Sequence, residues 1–185
     1  MRLSENRKLA LIVLIVCALA SVVLFGGGAL RNERYDILQV FSDGTDTSLS
    51  VRHSMEAYLL RCAERADALA EQGALLNADA ALIENAREAA AAVREGGDDL
   101  DARHAAYLQL VPAVETLYTN LLQGYDTTEL VDARLAYNDF KGAVNLIQND
   151  QYPVMASAFN DKLENFPASL LAGLFGVKPL NTFGW

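Results

Sequence analysis

From Leu9 to Phe25 the chain reads LALIVLIVCALASVVLF without a charge, and the uncharged run continues through Gly26, Gly27 and Gly28 to Leu30. No other stretch constrains the fold as much. As a helix rising 1.5 Å per residue, Leu9 to Leu30 extends about 33 Å, enough to cross a bilayer core. In lipid every backbone N–H and C=O has to be paired within the segment, so a crossing of this kind is helical. The chain beyond Leu30 is then expected to be a domain tethered to a membrane surface.

The same region has the outline of a secretory signal: Arg2, Arg7 and Lys8 come first, then the apolar run, and Ala18-Leu19-Ala20 offers a small-x-small cleavage pattern. The run does not stop at Ala20, however. Ser21-Val22-Val23-Leu24-Phe25 carries it past the length of a usual signal core, which favours an uncleaved anchor. Cys17 lacks the small residue that a lipoprotein site wants before the cysteine, since Val16 stands there; it reads as a small apolar residue of the span. Positive charge orients a span. Arg2, Arg7, Lys8 and the α-amino group lie on one side, Arg31 and Arg34 on the other. The bias places the N-terminus, about eight residues, in the cytoplasm and the residues beyond Leu30 outside the cell membrane.

The chain carries a net charge of −9, and the segment ahead of Leu9 is net positive, so the body is more acidic still. That disfavours nucleic acid as a partner, and it disfavours lying flat on anionic lipid. Removing the anchor leaves about 155 residues, the usual size of one domain. With two cysteines, one of them Cys17, no disulfide framework holds the domain. Cys62 reads as a small buried helix residue; the sharper alternative is a disulfide between two copies.

Periodicity divides the body into helices. After a juxtamembrane stretch at 31–48, which ends in the loop Ser42 to Ser48, the domain is expected over 49–185. The acids of that loop lack the spacing and closing glutamate of a calcium loop. Gly26 to Gly28 would loosen any helix running through them. The first long helix is expected from Leu49 to Leu76, with Val51, Met55, Tyr58, Cys62, Ala66, Leu69, Gly73 and Leu76 on one stripe. Asn77-Ala78-Asp79 provides a break and an N-cap for a second helix, Ala80 to Glu95, which Gly96-Gly97 ends. A third spans Asp99 to Gln123, with Leu108, Val111, Val114, Leu117 and Leu121 inward. Pro112 bends or restarts it, and Gly124 closes it. Asp126 or Thr127 caps a fourth, Thr128 to Gln148, whose stripe of Leu130, Ala133, Tyr137, Phe140, Val144 and Ile147 is the cleanest in the chain. A shorter helix runs from Pro153 to Phe166, and Pro167 opens an apolar tail. No run reads as a strand. The fold class is therefore all-α: an N-terminal transmembrane helix followed by an antiparallel four-helix-bundle-like domain. The stripes could instead be coiled-coil seams in a homo-oligomer; polar turns within one domain length favour packing inside a single chain.

The chemistry is sparse. Of the two histidines, Asp101-Ala102-Arg103-His104 is the nearest approach to a metal-binding Glu-x-x-His, and His53 has Ser50 three residues before it. One imperfect half is not a metal site, and both histidines are expected to face solvent or cap a helix. No zinc, phosphate-loop or nucleophile-elbow motif is present. Gly26-Gly27-Gly28 cradles nothing recognisable. Glu56, Glu64, Asp67 and Glu71 with Arg61 and Arg65 read as i,i+3 and i,i+4 partners on a wet helix face. No catalytic, cofactor-binding or metal residue is assigned, no cofactor is expected, and the chain is not expected to be an enzyme. Tyr107, Tyr118, Tyr125, Tyr137 and Tyr152 read as core or core-edge groups. The tail from Leu170 to Phe183 either packs back on the bundle or contacts membrane or a partner.

Phe159-Asn160-Asp161-Lys162-Leu163-Glu164-Asn165-Phe166-Pro167, then Leu171-Ala172-Gly173-Leu174-Phe175-Gly176 and Phe183, resembles the C-terminal signature of the LemA family. Tyr58 to Asp67 resembles that family's first soluble helix, and the order of anchor then helical domain matches along nearly the whole chain. Glu64 to Ala70 lacks the family's proline, Tyr137-Asn138 and Phe159-Asn160 lie far apart, and Val177 replaces an aromatic, as in a divergent member. The resemblance implies a membrane-anchored helical bundle of the bacterial envelope, without established catalysis and with no site residues to transfer. The expected function is that of a scaffold or adaptor for membrane or envelope proteins. The alternative is a ligand-binding sensor ectodomain working with a separate signalling partner.

Overall fold

A computed structural model describes residues 7–47, 50–51 and 54–184. It is all-α apart from one small ladder. In chain order the elements are α1 (Arg7–Asp43), β1 (Asp46–Thr47), β2 (Ser50–Val51), α2 (Met55–Leu75), α3 (Ala80–Glu95), α4 (Leu100–Gly124), α5 (Val131–Gln148), α6 (Tyr152–Glu164) and α7 (Ala168–Phe175). They form two compact units. The first holds α1 as far as Leu38 together with Val154–Leu180; the second holds Gln39–Pro153 and the residues from Asn181 onward.

The second unit contains an antiparallel four-helix bundle. α2 packs against both α3 and α5, and α3 packs against α4, so the sequence order runs around the bundle. Short connections force each helix to run opposite to the one before it. Met55, Leu59, Cys62 and Leu69 of α2 are buried with Val93 of α3, Tyr107, Leu110, Leu117 and Leu121 of α4, and Phe140 and Ile147 of α5. Each large apolar side chain taken from water there contributes about 1.5–3 kcal/mol. Ala86, Ala89 and Ala90 line the inner face of α3, where small side chains let a neighbour approach closely. Tyr118 and Tyr137 stack at 3.8 Å between ring centroids, so α4 and α5 are joined by an aromatic pair as well as by aliphatic contact.

The ends are set by local chemistry. Ser54 Oγ accepts from the Ala57 N–H (3.1 Å), Asp79 Oδ1 from the Ala81 N–H (2.8 Å), and Asp99 Oδ1 from the Asp101 and Ala102 N–H groups (3.0 and 3.1 Å). These caps satisfy donors that a helix leaves open at its start. Asn77 and Gly97 adopt left-handed φ of 58° and 52° in the two turns that follow helices, the conformation Asn and Gly accept most readily. The Tyr125 hydroxyl donates to the Leu76 carbonyl and ties two turns together.

Several expectations are corrected. The expected start of the first soluble helix, Leu49, lies outside the described residues. α2 begins only at Met55, because Ser54 supplies the cap, and Val51 belongs to β2. β1 and β2 form a two-residue antiparallel ladder where no strand was expected, pairing Asp46 with Val51 and Thr47 with Ser50. Neither Asp126 nor Thr127 caps the fourth long helix. Residues 127–130 form a turn instead, the Asp126 N–H donates to the Glu129 carboxylate (3.1 Å), and α5 starts at Val131 without a side-chain cap. Pro112 does not restart α4, which continues through it. It sits on the exposed side, where water replaces its missing donor. Leu108, expected inward, is exposed on that side as well.

In the first unit, α1 is continuous through Gly26 to Gly28, with no break. From Leu11 to Val16 its described apolar side chains are all exposed. α7 ends at Gly176, which takes a left-handed φ of 63°.

Candidate functional site

The feature of this chain with the clearest physical demand is α1. Its most apolar 18-residue stretch has a mean hydropathy of 2.8, and only 6% of that stretch is buried. A helix apolar on all sides is stable only where its surroundings are also apolar. By length and composition it can cross a membrane.

Near the end of the uncharged run, α1 receives α7. A Cβ placed on Gly26 would sit 2.6 Å from Leu171 Cδ1, and one on Gly27 would overlap the Phe175 ring. The side chains of Leu171 and Phe175 thus occupy the space a Cβ would take at these two positions and would have to shift to admit one. Beyond the glycines, an Arg31 Nη donates to the Phe175 carbonyl (2.8 Å) and its guanidinium lies 5.5 Å from the Phe175 ring centroid. Arg34 Nε donates to the Lys178 carbonyl (3.2 Å). The Phe175 carbonyl is one of those left open by a helix end, so a cation there satisfies it and opposes the helix dipole. Lys162 of α6 pairs with Glu33 of α1. The triplet Gly26-Gly27-Gly28, which read as cradling nothing, is therefore in part a seat. Gly28 is not part of it, having open space around the position of a Cβ.

Asn160, from the aromatic-Asn pair of the family-like signature, acts inside the same unit. Its Nδ2 donates to the Leu180 carbonyl and its Oδ1 accepts from the Leu180 N–H, both at 2.8 Å. Phe159 beside it is buried. The tail was expected either to pack back on the bundle or to contact membrane or a partner; α7 lies instead against α1 within the first unit, with Leu171, Val177 and Leu180 buried and Leu170 and Leu174 exposed.

The remaining candidates are drawn into structure. His53 lies outside the described residues. Asp101 and His104 do not converge on a vacant centre. Asp101 Oδ1 accepts from Asn181 Nδ2 (2.7 Å), and His104 Nε2 donates to the Gly184 carbonyl (2.9 Å), with its ring 4.9 Å from that of Phe183. His104, expected to face solvent or cap a helix, is half-buried and holds the chain terminus. Phe183 is buried against Phe41 and Tyr152, and the Tyr152 hydroxyl donates to the Asn181 carbonyl (2.8 Å). Among the described residues, no group of three or more His, Cys, Asp or Glu is placed to hold a metal ion.

The charges of α2 bond between helices rather than along their own. Glu56 pairs with the buried Arg103 of α4 (2.7 Å), Asp67 with Arg94 of α3, and Arg65 with Asp139 of α5 at 3.5 Å. The expected in-helix pairing is corrected: of these charges only Arg61 and Glu64 are opposite in sign and three or four residues apart on α2. Glu64, Glu71 and Arg61 are exposed. Burial pushes the Cys62 thiol from 9.0 up to about 12, with nearby Arg61 opposing that rise. A thiol that stays protonated in a closed core is a poor nucleophile and cannot reach a second copy. The Tyr107 phenol is likewise raised, chiefly by burial and then by the neighbouring Cys62. On the surface, Lys141 is raised by its hydrogen bond to Glu115 (2.8 Å). A shallow depression of about 420 Å³ beside it, lined by Leu82, Pro112, Glu115, Thr116, Thr119 and Asn120, brings no reactive groups together.

The residues sequence reasoning missed are Gly26, Gly27, Arg31 and Asn160. The glycine triplet at the end of an apolar run was the visible signal, since small residues in a membrane helix mark close approach of another segment.

Compared with family models, curated proteins and solved structures, the chain has no match in any of the three.

Proposed function

We propose that this chain is a single-pass membrane protein of the LemA type that works as a scaffold or adaptor, without catalysis of its own. One observation carries the reading: a long helix keeps its apolar side chains on its own surface rather than in a core. The N-terminus lies in the cytoplasm and the helical bundle outside, as the excess of basic residues before Leu9 favours. The run from Phe159 to Pro167 and the Gly-aromatic segment after it support the LemA resemblance. The bundle offers other membrane or envelope proteins the exposed leucines Leu60, Leu122 and Leu135.

Photo-crosslinking residues at positions 60, 122 and 135 in native membranes test the adaptor role. Adducts with a defined second protein are expected. Recovery of unassociated chain from all three positions overturns it. A reporter active only in the cytoplasm, fused after Trp185, is expected to stay silent; activity would reverse the orientation.

A further inference from the structure

α7 buries Leu171 and leans Phe175 on α1, yet it leaves a second apolar line in the open. Phe166, Leu170 and Leu174 recur every four residues and are 82%, 56% and 63% exposed. Leu170 and Leu174, four apart within α7, share one side of it, and Phe166 is exposed in the turn just before α7. Phe25, next to the glycine seat on α1, is exposed too. In water such a line gains nothing. Its position says what covers it. α7 is fixed to Gly26 and Gly27, which belong to the uncharged run of α1. Whatever solvent surrounds α1 at that level surrounds α7.

Above that level the chemistry changes sign of preference. Arg31 and Arg34 follow the seat by four to eight residues, roughly 6–12 Å along the helix. With Tyr35, Leu38, Phe175 and Lys178 they line a groove of about 380 Å³. A guanidinium has five N–H donors, so a hydrogen bond to one carbonyl does not exhaust it. Three cations over an apolar line, with the exposed Tyr35 among them, match the layering of a leaflet: acyl chains below, phosphates and aromatic belt above.

We propose that α7 is an interfacial membrane element. Phe166, Leu170 and Leu174 dip into the acyl boundary of the leaflet on the bundle's side, and Arg31, Arg34 and Lys178 meet its phosphates. This rests on the reading of α1 as a bilayer span. The anchor would then grip the leaflet at two places, and the span could not rotate freely about its axis.

The test uses the full chain in phosphatidylcholine vesicles with brominated acyl chains, Trp185→Phe throughout, and a single new tryptophan as reporter. Leu14→Trp reports the middle of α1, Leu135→Trp an exposed bundle position, and Leu174→Trp the face in question. Strong loss of fluorescence on bromination is expected for Leu14→Trp and Leu174→Trp and none for Leu135→Trp. If Leu174→Trp behaves as Leu135→Trp while Leu14→Trp is quenched, the interfacial element is overturned and the span stands. If Leu174→Trp is blue-shifted but unquenched, protein such as a second copy covers the face, which also overturns it. If Leu14→Trp is unquenched, the span itself fails and takes this inference with it.

Discussion

α1 and α2 are both long, both rich in aliphatic residues, and they use those residues oppositely. Along α2, Met55, Tyr58, Leu59, Cys62, Ala66 and Leu69 are buried on one side while Arg61, Glu64 and Glu71 are exposed. Along α1, Leu11 to Val16 are exposed in succession. A stripe needs a protein neighbour; a full apolar surface needs an apolar solvent. The contrast teaches that the same side chains carry different information according to whether they face one way or every way.

Truncation tests this contrast most severely. Phe140→Ala removes a fully buried ring from the bundle and is expected to cost about 3–5 kcal/mol in a denaturant melt. Leu14→Ala should leave that melt unchanged, and an equal loss there would erase the distinction. Next, Leu14→Arg is expected to disfavour insertion by about 2.5–3.5 kcal/mol, read as loss from the membrane fraction. Leu60→Arg, on the open side of α2, should shift bundle stability by no more than about 0.5 kcal/mol. Gly27→Leu forces a side chain into the space of the Phe175 ring, at about 1–3 kcal/mol. Faster proteolysis after Phe166 is the expected readout, with Gly28→Leu, which meets nothing, as the silent control.

The smallest effect is alkaline. Below pH 9 the Cys62 thiol is protonated in the folded and the unfolded chain alike and contributes no pH dependence. Above 9.0 the unfolded chain releases the proton while the folded chain keeps it until about 12, so stability falls as pH rises through that window. At pH 10 the loss is about 1.4 kcal/mol, and Cys62→Ala should flatten that part of the stability curve. An unchanged slope would mean that Cys62 titrates freely.

Local pattern carried most of the bundle. Asp79, Asp99 and Gly96-Gly97 marked ends because their chemistry acts on the backbone next to them, and the stripe through Phe140 and Ile147 named its own buried side. Failures came where the deciding partner is remote in sequence. Leu108 is the exception: it falls about half a turn out of phase with Leu117 in a helix that runs on through Pro112, because a stripe of successive threes drifts around the helix. Glu56 and Asp67 have no opposite charge three or four residues away on α2, and their partners come from α4 and α3. Nothing near Gly26 or Gly27 announces Leu171 or Phe175, almost 150 residues away, so the seat was legible only as an unexplained run of small residues. That α1 is long and apolar enough to cross a membrane was the plainest reading, since solvent preference is summed over many residues and needs no contact to be known.

Asn160 gives one and takes one hydrogen bond at Leu180, as a neighbouring strand would. Hydrolysis of its carboxamide to a carboxylate keeps size and shape but abolishes the donor, and sets a negative charge facing a carbonyl oxygen. Chemical ageing at this single amide would therefore unfasten the stretch leading from α7 to the terminus without any change in the coding message, and Gln, one methylene longer, is no substitute for the lost geometry.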